Sequence, residues 1–144
     1  MENLATLNLK TGLHTRLEMD AVPQAIIEAG SAARTIARKL GLGSHPANKL
    51  VRAVCEVVLN SCTYAYPADA GKVIVEITCD DNCINVEVVD FGRGFNCGDY
   101  FRPDGSRGPR AQPHMGLFIA AEAVDRMTIE SNETGTIVRM TKKV

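Results

Sequence analysis

Residues Lys49 to Tyr66, KLVRAVCEVVLNSCTYAY, constrain this chain more than any other stretch. Leu50, Val51, Val54, Val57, Val58 and Leu59 make it apolar on nearly every face of a helix, so the helix is predicted to be buried. Within it, Glu56 and Asn60 stand four residues apart and share one face. Burying a carboxylate without a basic partner is expensive. We therefore expect Glu56 to lie buried and unpaired, held inside because the Glu56–Asn60 pair performs chemistry or binds an ion.

The elements around that helix follow from periodicity. Residues 4–9 and 13–19 read as strands joined by a turn at Thr11-Gly12. Pro23 opens a helix, with Asp20 as its expected cap, and Ile26, Ile27, Ala33, Ile36, Ala37 and Leu40 carry helical spacing up to Gly41 and Gly43. Ser44-His45-Pro46 starts the next helix, which is predicted to run to about Tyr64 and to be closed by Pro67 and Gly71. Lys72 to Thr78 alternates, Asp80-Asp81-Asn82 turns, and Ile84 to Val89 returns as a hairpin. Asp90-Phe91-Gly92-Arg93-Gly94 stands at the end of that strand. Phe95 to Pro113 shows no apolar period and reads as a functional loop or lid. Met115 to Arg126 is helical again, and strands at 126–131 and 136–141 flank a turn at Asn132-Glu133-Thr134-Gly135. Hairpins with three helices imply an α+β two-layer sandwich, a mixed and mostly antiparallel sheet covered on one face.

Composition excludes several classes. With 144 residues the chain is long enough for one domain, 1–144, with a sizeable core. A net charge of −1 does not point to nucleic acid or an anionic membrane as a partner. The apolar runs are too short to span a bilayer, and the first residues lack a secretory signal, so a cytoplasmic protein is expected. The five cysteines, Cys55, Cys62, Cys79, Cys83 and Cys97, read as free thiols, because no second CxxC or histidine pair completes a metal set.

Glu56-x-x-x-Asn60 on a helix, Asp90-x-Gly92-x-Gly94 after a strand, and Met115-Gly116-Leu117 opening a helix occur in that order. In that order they resemble the N box and the two glycine boxes of the GHKL ATPase superfamily, whose ATP-binding (Bergerat) fold is the α+β sandwich above. Within it the chain is most similar to the anti-sigma factor serine/threonine kinases of partner-switching pathways. AVCEVVLNSCTYAY looks like the N box, VVDFGRGF the first glycine box and MGLFIAAEAVDRM the second. Glu133-Thr134-Gly135-Thr136 resembles the Gly-Thr of the last strands, and Ala33-Arg34 a partner-contacting position.

The resemblance implies roles for these residues. Asn60 would ligate Mg²⁺, a cation that favours oxygen ligands. Glu56 would be the catalytic base. Asp90 would accept from the adenine amine, with Gly92, Gly94 and Thr136 beside it. Met115, Gly116 and Leu117 would offer backbone N–H groups to phosphate at a helix start. Arg102, Arg107 and Arg110 lie in the lid, and Arg34 would contact a partner. The implied function is an ATP-dependent protein-serine kinase that phosphorylates a STAS-domain anti-anti-sigma partner and sequesters a sigma factor. The resemblance also implies a homodimer through the first helix and N-terminal strands, where Ile26, Ile27 and Ile36 serve that surface or the core.

Two positions depart from the family pattern: His114 where the second glycine box usually opens with glycine, and Tyr64 where a histidine is common. Three other readings stand beside the kinase: a non-catalytic nucleotide-binding anti-sigma module, the ATP-binding half of a histidine kinase, and a structural interaction protein. No helical dimerisation segment with a phosphoacceptor histidine accompanies the boxes, since His14, His45 and His114 fall in a strand, at a helix start and at the lid's end.

Overall fold

The alternating segments at the middle of the chain form the centre of a five-stranded sheet, ordered β1-β2-β3-β5-β4, in the computed structural model. The structure describes residues 13–66, 70–100 and 115–144. The expected strand at 4–9, Pro67, the lid residues Arg102, Arg107 and Arg110, and His114 lie outside them. The strands are β1 (His14–Asp20), β2 (Lys72–Asp80), β3 (Cys83–Asp90), β4 (Arg126–Asn132) and β5 (Gly135–Lys143). All four pairings are antiparallel, so no parallel pair mixes into the sheet among the described residues.

Period-2 patterning sets the two faces of the sheet. Val73, Val75, Ile77, Ile84, Val86, Val88, Val138 and Met140 point into the core and are almost fully buried. The opposite face carries charge: Arg139 pairs with both Glu87 and Glu130, and His14 meets Glu76 at 2.6 Å. The β2–β3 turn is tighter than expected. Asp80 already pairs with Cys83, leaving the two-residue loop Asp81-Asn82 at φ 42° and 64°. Both left-handed positions suit a type I′ hairpin, which Asp and Asn tolerate.

Three helices cover the apolar face: α1 (Pro23–Lys39), α2 (Ser44–Asn60) and α3 (Met115–Ala123). α2 packs between α1 and α3, which accounts for its apolar surround. Leu50, Ala53, Val54 and Val58 are wholly buried there. Replacing Leu50 with Ala leaves a cavity at this junction and should lower unfolding free energy by about 2–5 kcal/mol in denaturant titration.

The ends of the helices differ from expectation in places. Asp20 does not cap α1; its carboxylate bonds the Lys72 ammonium at 2.7 Å across the β1–β2 pair. Gly41 and Leu42 donate to Arg38 and Ala37, closing α1 with the paired bonds of a Schellman turn. α2 ends at Asn60 and passes into a π-helical turn, Ser61–Ala65. α3 stops at Ala123, three residues short of Arg126, which begins β4. A single helical turn, Cys97–Tyr100, stands where no order was expected. No helix among the described residues is long and apolar enough to cross a membrane.

Candidate functional site

The C-terminal end of α2, the end of β3, the start of α3 and the β4–β5 hairpin bring the predicted residues together. Asp90 is the last residue of β3 and is 4% exposed. Its Oδ1 accepts N–H bonds from Gly92 at 3.1 Å and Thr136 at 3.2 Å, and its Oδ2 accepts the Ser61 hydroxyl at 2.9 Å. Burial pushes the Asp90 carboxyl above its ordinary pKa, against the pull of those three bonds.

The glycines following Asp90 are places of close approach. A β-carbon at Gly92 would strike the carbonyl oxygen of Ala65, in the π-helical turn. That same oxygen accepts the Arg93 N–H at 3.1 Å. Gly94 adopts φ 67°, a left-handed conformation, and a β-carbon there would overlap the Asn132 carbonyl. Phe95 N–H donates to Ser131 Oγ at 2.9 Å, and Ser131 Oγ lies 2.7 Å from Thr136 Oγ1. Tyr66 completes the frame: its hydroxyl accepts the Phe91 N–H at 2.7 Å and donates to the Lys72 carbonyl at 2.6 Å.

Glu56 stands one turn before Asn60, and α3 begins against it. A β-carbon at Gly116 would come within 2.6 Å of Glu56 Oε1, so glycine is what lets the head of α3 approach this carboxylate. Asn60 is buried, at 9% exposure. Glu56 is only half-buried, and Arg52, one helical turn earlier, places Nε 3.8 Å from Oε2. The expected buried, unpaired carboxylate is therefore a half-exposed one with a basic neighbour. Its side chain is 22% exposed, so it keeps water contact.

Asp90, Gly92, Gly94 and Thr136 thus form one cluster, and Glu56 with Gly116 forms a second. Asn60 and Ser61, adjacent in the chain, join the two. Met115 is half-buried. Leu117 is fully buried in the core, so only its backbone can face a ligand. Arg34 stands apart on α1, where Nη1 donates to Asn48 Oδ1 at 3.0 Å. Ser61, Ala65, Tyr66 and Ser131 were missed as site residues. The one available signal was that Ser61 directly follows Asn60.

The residues present fit a nucleotide whose base carries an N–H donor. A carboxylate offers about four lone-pair sites, and three donors engage Asp90, leaving Oδ2 able to accept one more N–H. They do not form a cage for a metal alone. No group of three or more His, Cys, Asp or Glu side chains converges among the described residues. The cysteines are free thiols, and burial pushes Cys79 up to about 11.

Comparison with known proteins bears on the family and the fold. Residues 19–142 match the model of the histidine kinase-like ATPase domain. The chain is 30% identical over 95 residues to the anti-sigma F factor of Caldanaerobacter subterraneus subsp. tengcongensis, across 64% of this chain and 66% of that relative, just under two thirds of its length. Its fold is similar to the RsbU and RsbW domains of a Mycobacterium tuberculosis protein, with a TM-score of 0.68 at 20% identity over 91% of this chain and 32% of that one. A blue-light activated histidine kinase domain from Erythrobacter litoralis superposes at a TM-score of 0.56 and 18% identity, over 83% of this chain and 63% of that one. With most of its length matched, from the last residues of β1 nearly to the end of β5, the chain belongs to the histidine kinase-like ATPase domain family.

Proposed function

We propose that the protein is an anti-sigma factor and a protein-serine kinase that binds Mg·ATP between α2, the Asp90–Gly94 loop and the head of α3. The observation that carries this reading is the seating of Gly116 against the Glu56 carboxylate, with Asn60 one turn further along the same helix. A base, an amide ligand and a helix start meet there. Bound Mg·ATP would supply the phosphoryl group and a divalent charge that neutralises it. Asp90 Oδ2 selects the base by accepting an exocyclic amine. The Asn60 amide oxygen is the metal ligand, and the N–H groups of Met115, Gly116 and Leu117 hold phosphate oxygens. Glu56 receives the proton of the acceptor serine hydroxyl.

The serine belongs, in this proposal, to a STAS-domain anti-anti-sigma protein, and the sequestered partner is a sigma factor; the anti-sigma F relative supports the sigma factor. Arg34 contributes to partner binding from α1, where it is half-buried and already oriented by Asn48. A homodimer would form on the α1–β1 side. There Ile27 is 64% exposed, whereas Ile36 is committed to the core and Ile26 packs against it. The intact Glu56 and its approach to α3 favour the kinase over a non-catalytic nucleotide module.

The test is ATP titration of the wild-type protein and of Asp90→Asn. Asparagine puts an N–H₂ group among the donors facing that side chain. A hydrogen bond to a charged group contributes about 1.5–3 kcal/mol, so the variant should lose about ten- to a hundredfold in ATP affinity. Equal affinity would remove Asp90 from the site, and no binding by wild type at millimolar ATP would sink the proposal.

A further inference from the structure

Ser61 has no place in the reading above, yet it is 4% exposed, and among the described residues its hydroxyl is the only side-chain donor to Asp90. The other two donors are backbone N–H groups of Gly92 and Thr136, and both go to Oδ1. Oδ2, the oxygen with acceptor capacity to spare, is held among the described residues by Ser61. We propose that Ser61 is a positioning residue that sets base selectivity, keeping Asp90 Oδ2 in one orientation and in the ionised, acceptor-only form. The inference rests on the nucleotide reading of the site and deepens it.

The physical argument has two parts. A carboxylate pinned at one oxygen only can rotate about its terminal torsion, which is soft. The Ser61 bond removes that freedom before ligand arrives, so an incoming amine meets a fixed acceptor. Ionisation is the second part. Burial disfavours the charged form of Asp90, and the Ser61 bond is one of the three contacts opposing burial. A protonated Oδ2 would be a donor facing the donor amine of adenine, and the two would repel.

The backbone makes this contact possible. Ser61 is the first residue of the π-helical turn, which also places Ala65 against Gly92 and its carbonyl on the Arg93 N–H. One segment therefore grips the Asp90–Gly94 loop at two points, through a side chain at Ser61 and through backbone at Ala65. Asn60 precedes Ser61 directly, so the proposed metal ligand and the base-selecting carboxylate share one rigid connection.

A merely structural Ser61 would affect every nucleotide alike, whereas a positioning Ser61 acts only on ligands carrying the amine. Affinities for ATP and for purine riboside triphosphate, which lacks that amine, should be measured with wild type, Ser61→Ala and Ser61→Thr. Wild type should prefer ATP by about tenfold or more, the worth of a hydrogen bond to a charged group. In Ser61→Ala that preference should shrink toward unity, through weaker ATP binding at nearly constant analogue binding. Ser61→Thr, which keeps the hydroxyl, should restore it. Equal losses for both ligands, or an unchanged ratio in Ser61→Ala, would overturn the inference while wild-type ATP binding still upheld the site. Failure of wild type to bind ATP would overturn the nucleotide reading, and the inference with it.

Discussion

Glu56→Gln is expected to abolish most phosphoryl transfer to the STAS partner while leaving ATP affinity within about twofold. A positioned general base typically contributes about 10²–10⁴-fold, and glutamine cannot take the proton. Glutamine has nearly the same shape, so it preserves the seat that Gly116 makes against this side chain. It gives up the Arg52 contact, a long ion pair at 3.8 Å with an exposed guanidinium, which is worth little. Labelled γ-phosphate transfer to the cognate partner, beside an ATP titration, separates the two effects. Equal transfer by wild type and variant would remove Glu56 from the chemistry. An equal drop in ATP binding would make it a binding residue.

Gly94→Ala should have the second large effect, on binding and stability together. Gly94 sits at φ 67°, where any L side chain costs about 1–2 kcal/mol from backbone sterics alone. Its added methyl would also overlap the Asn132 carbonyl, which is backbone and cannot rotate aside. The loop must then lift from the β4–β5 hairpin, and the Phe95 bond to Ser131 and the linked Ser131–Thr136 contact are disturbed with it. ATP affinity should fall more than about a hundredfold, the loss of two or more hydrogen bonds at the site, and thermal unfolding should move to lower temperature. Wild-type affinity in the variant would show that the loop adopts another path when nucleotide binds.

Much of this arrangement was legible in the sequence, for identifiable reasons. The apolar surround of α2 announced a helix with neighbours on several sides, and α1, α3 and the sheet are those neighbours. Strand alternation at Lys72–Asp80 and Cys83–Asp90 gave the sheet its two faces. The Asp90 cluster was legible because its two glycines lie close by in the chain, and Gly94 answers a local need for a left-handed backbone, although the close approaches to Ala65 and Asn132 come from the fold. What stayed hidden depends on distant partners. Asp20 is a good cap by type, but Lys72, 52 residues away, competes for it and wins. Tyr66 and Ser61 are ordinary side chains until the fold puts Phe91 and Asp90 beside them. Arg52 is different: its spacing of four from Glu56 puts the two on one helix face and is readable in the sequence.

The π-helical turn also sets what kinds of chain variation this site tolerates. A π turn is a helix carrying one surplus residue per turn. Winding the same five residues, Ser61–Ala65, as α-helix would rotate everything beyond them by one residue's step, roughly 100°. Ala65 and Tyr66 would then swing away from Gly92 and Phe91, although no residue that touches a ligand had been altered. Point substitutions here are filtered one at a time by local contacts. The number of residues between Asn60 and Tyr66 is tied to the way they wind: at this length only the π turn keeps Ala65 and Tyr66 on Gly92 and Phe91, whereas a chain one residue shorter would keep them there only as an α-helix.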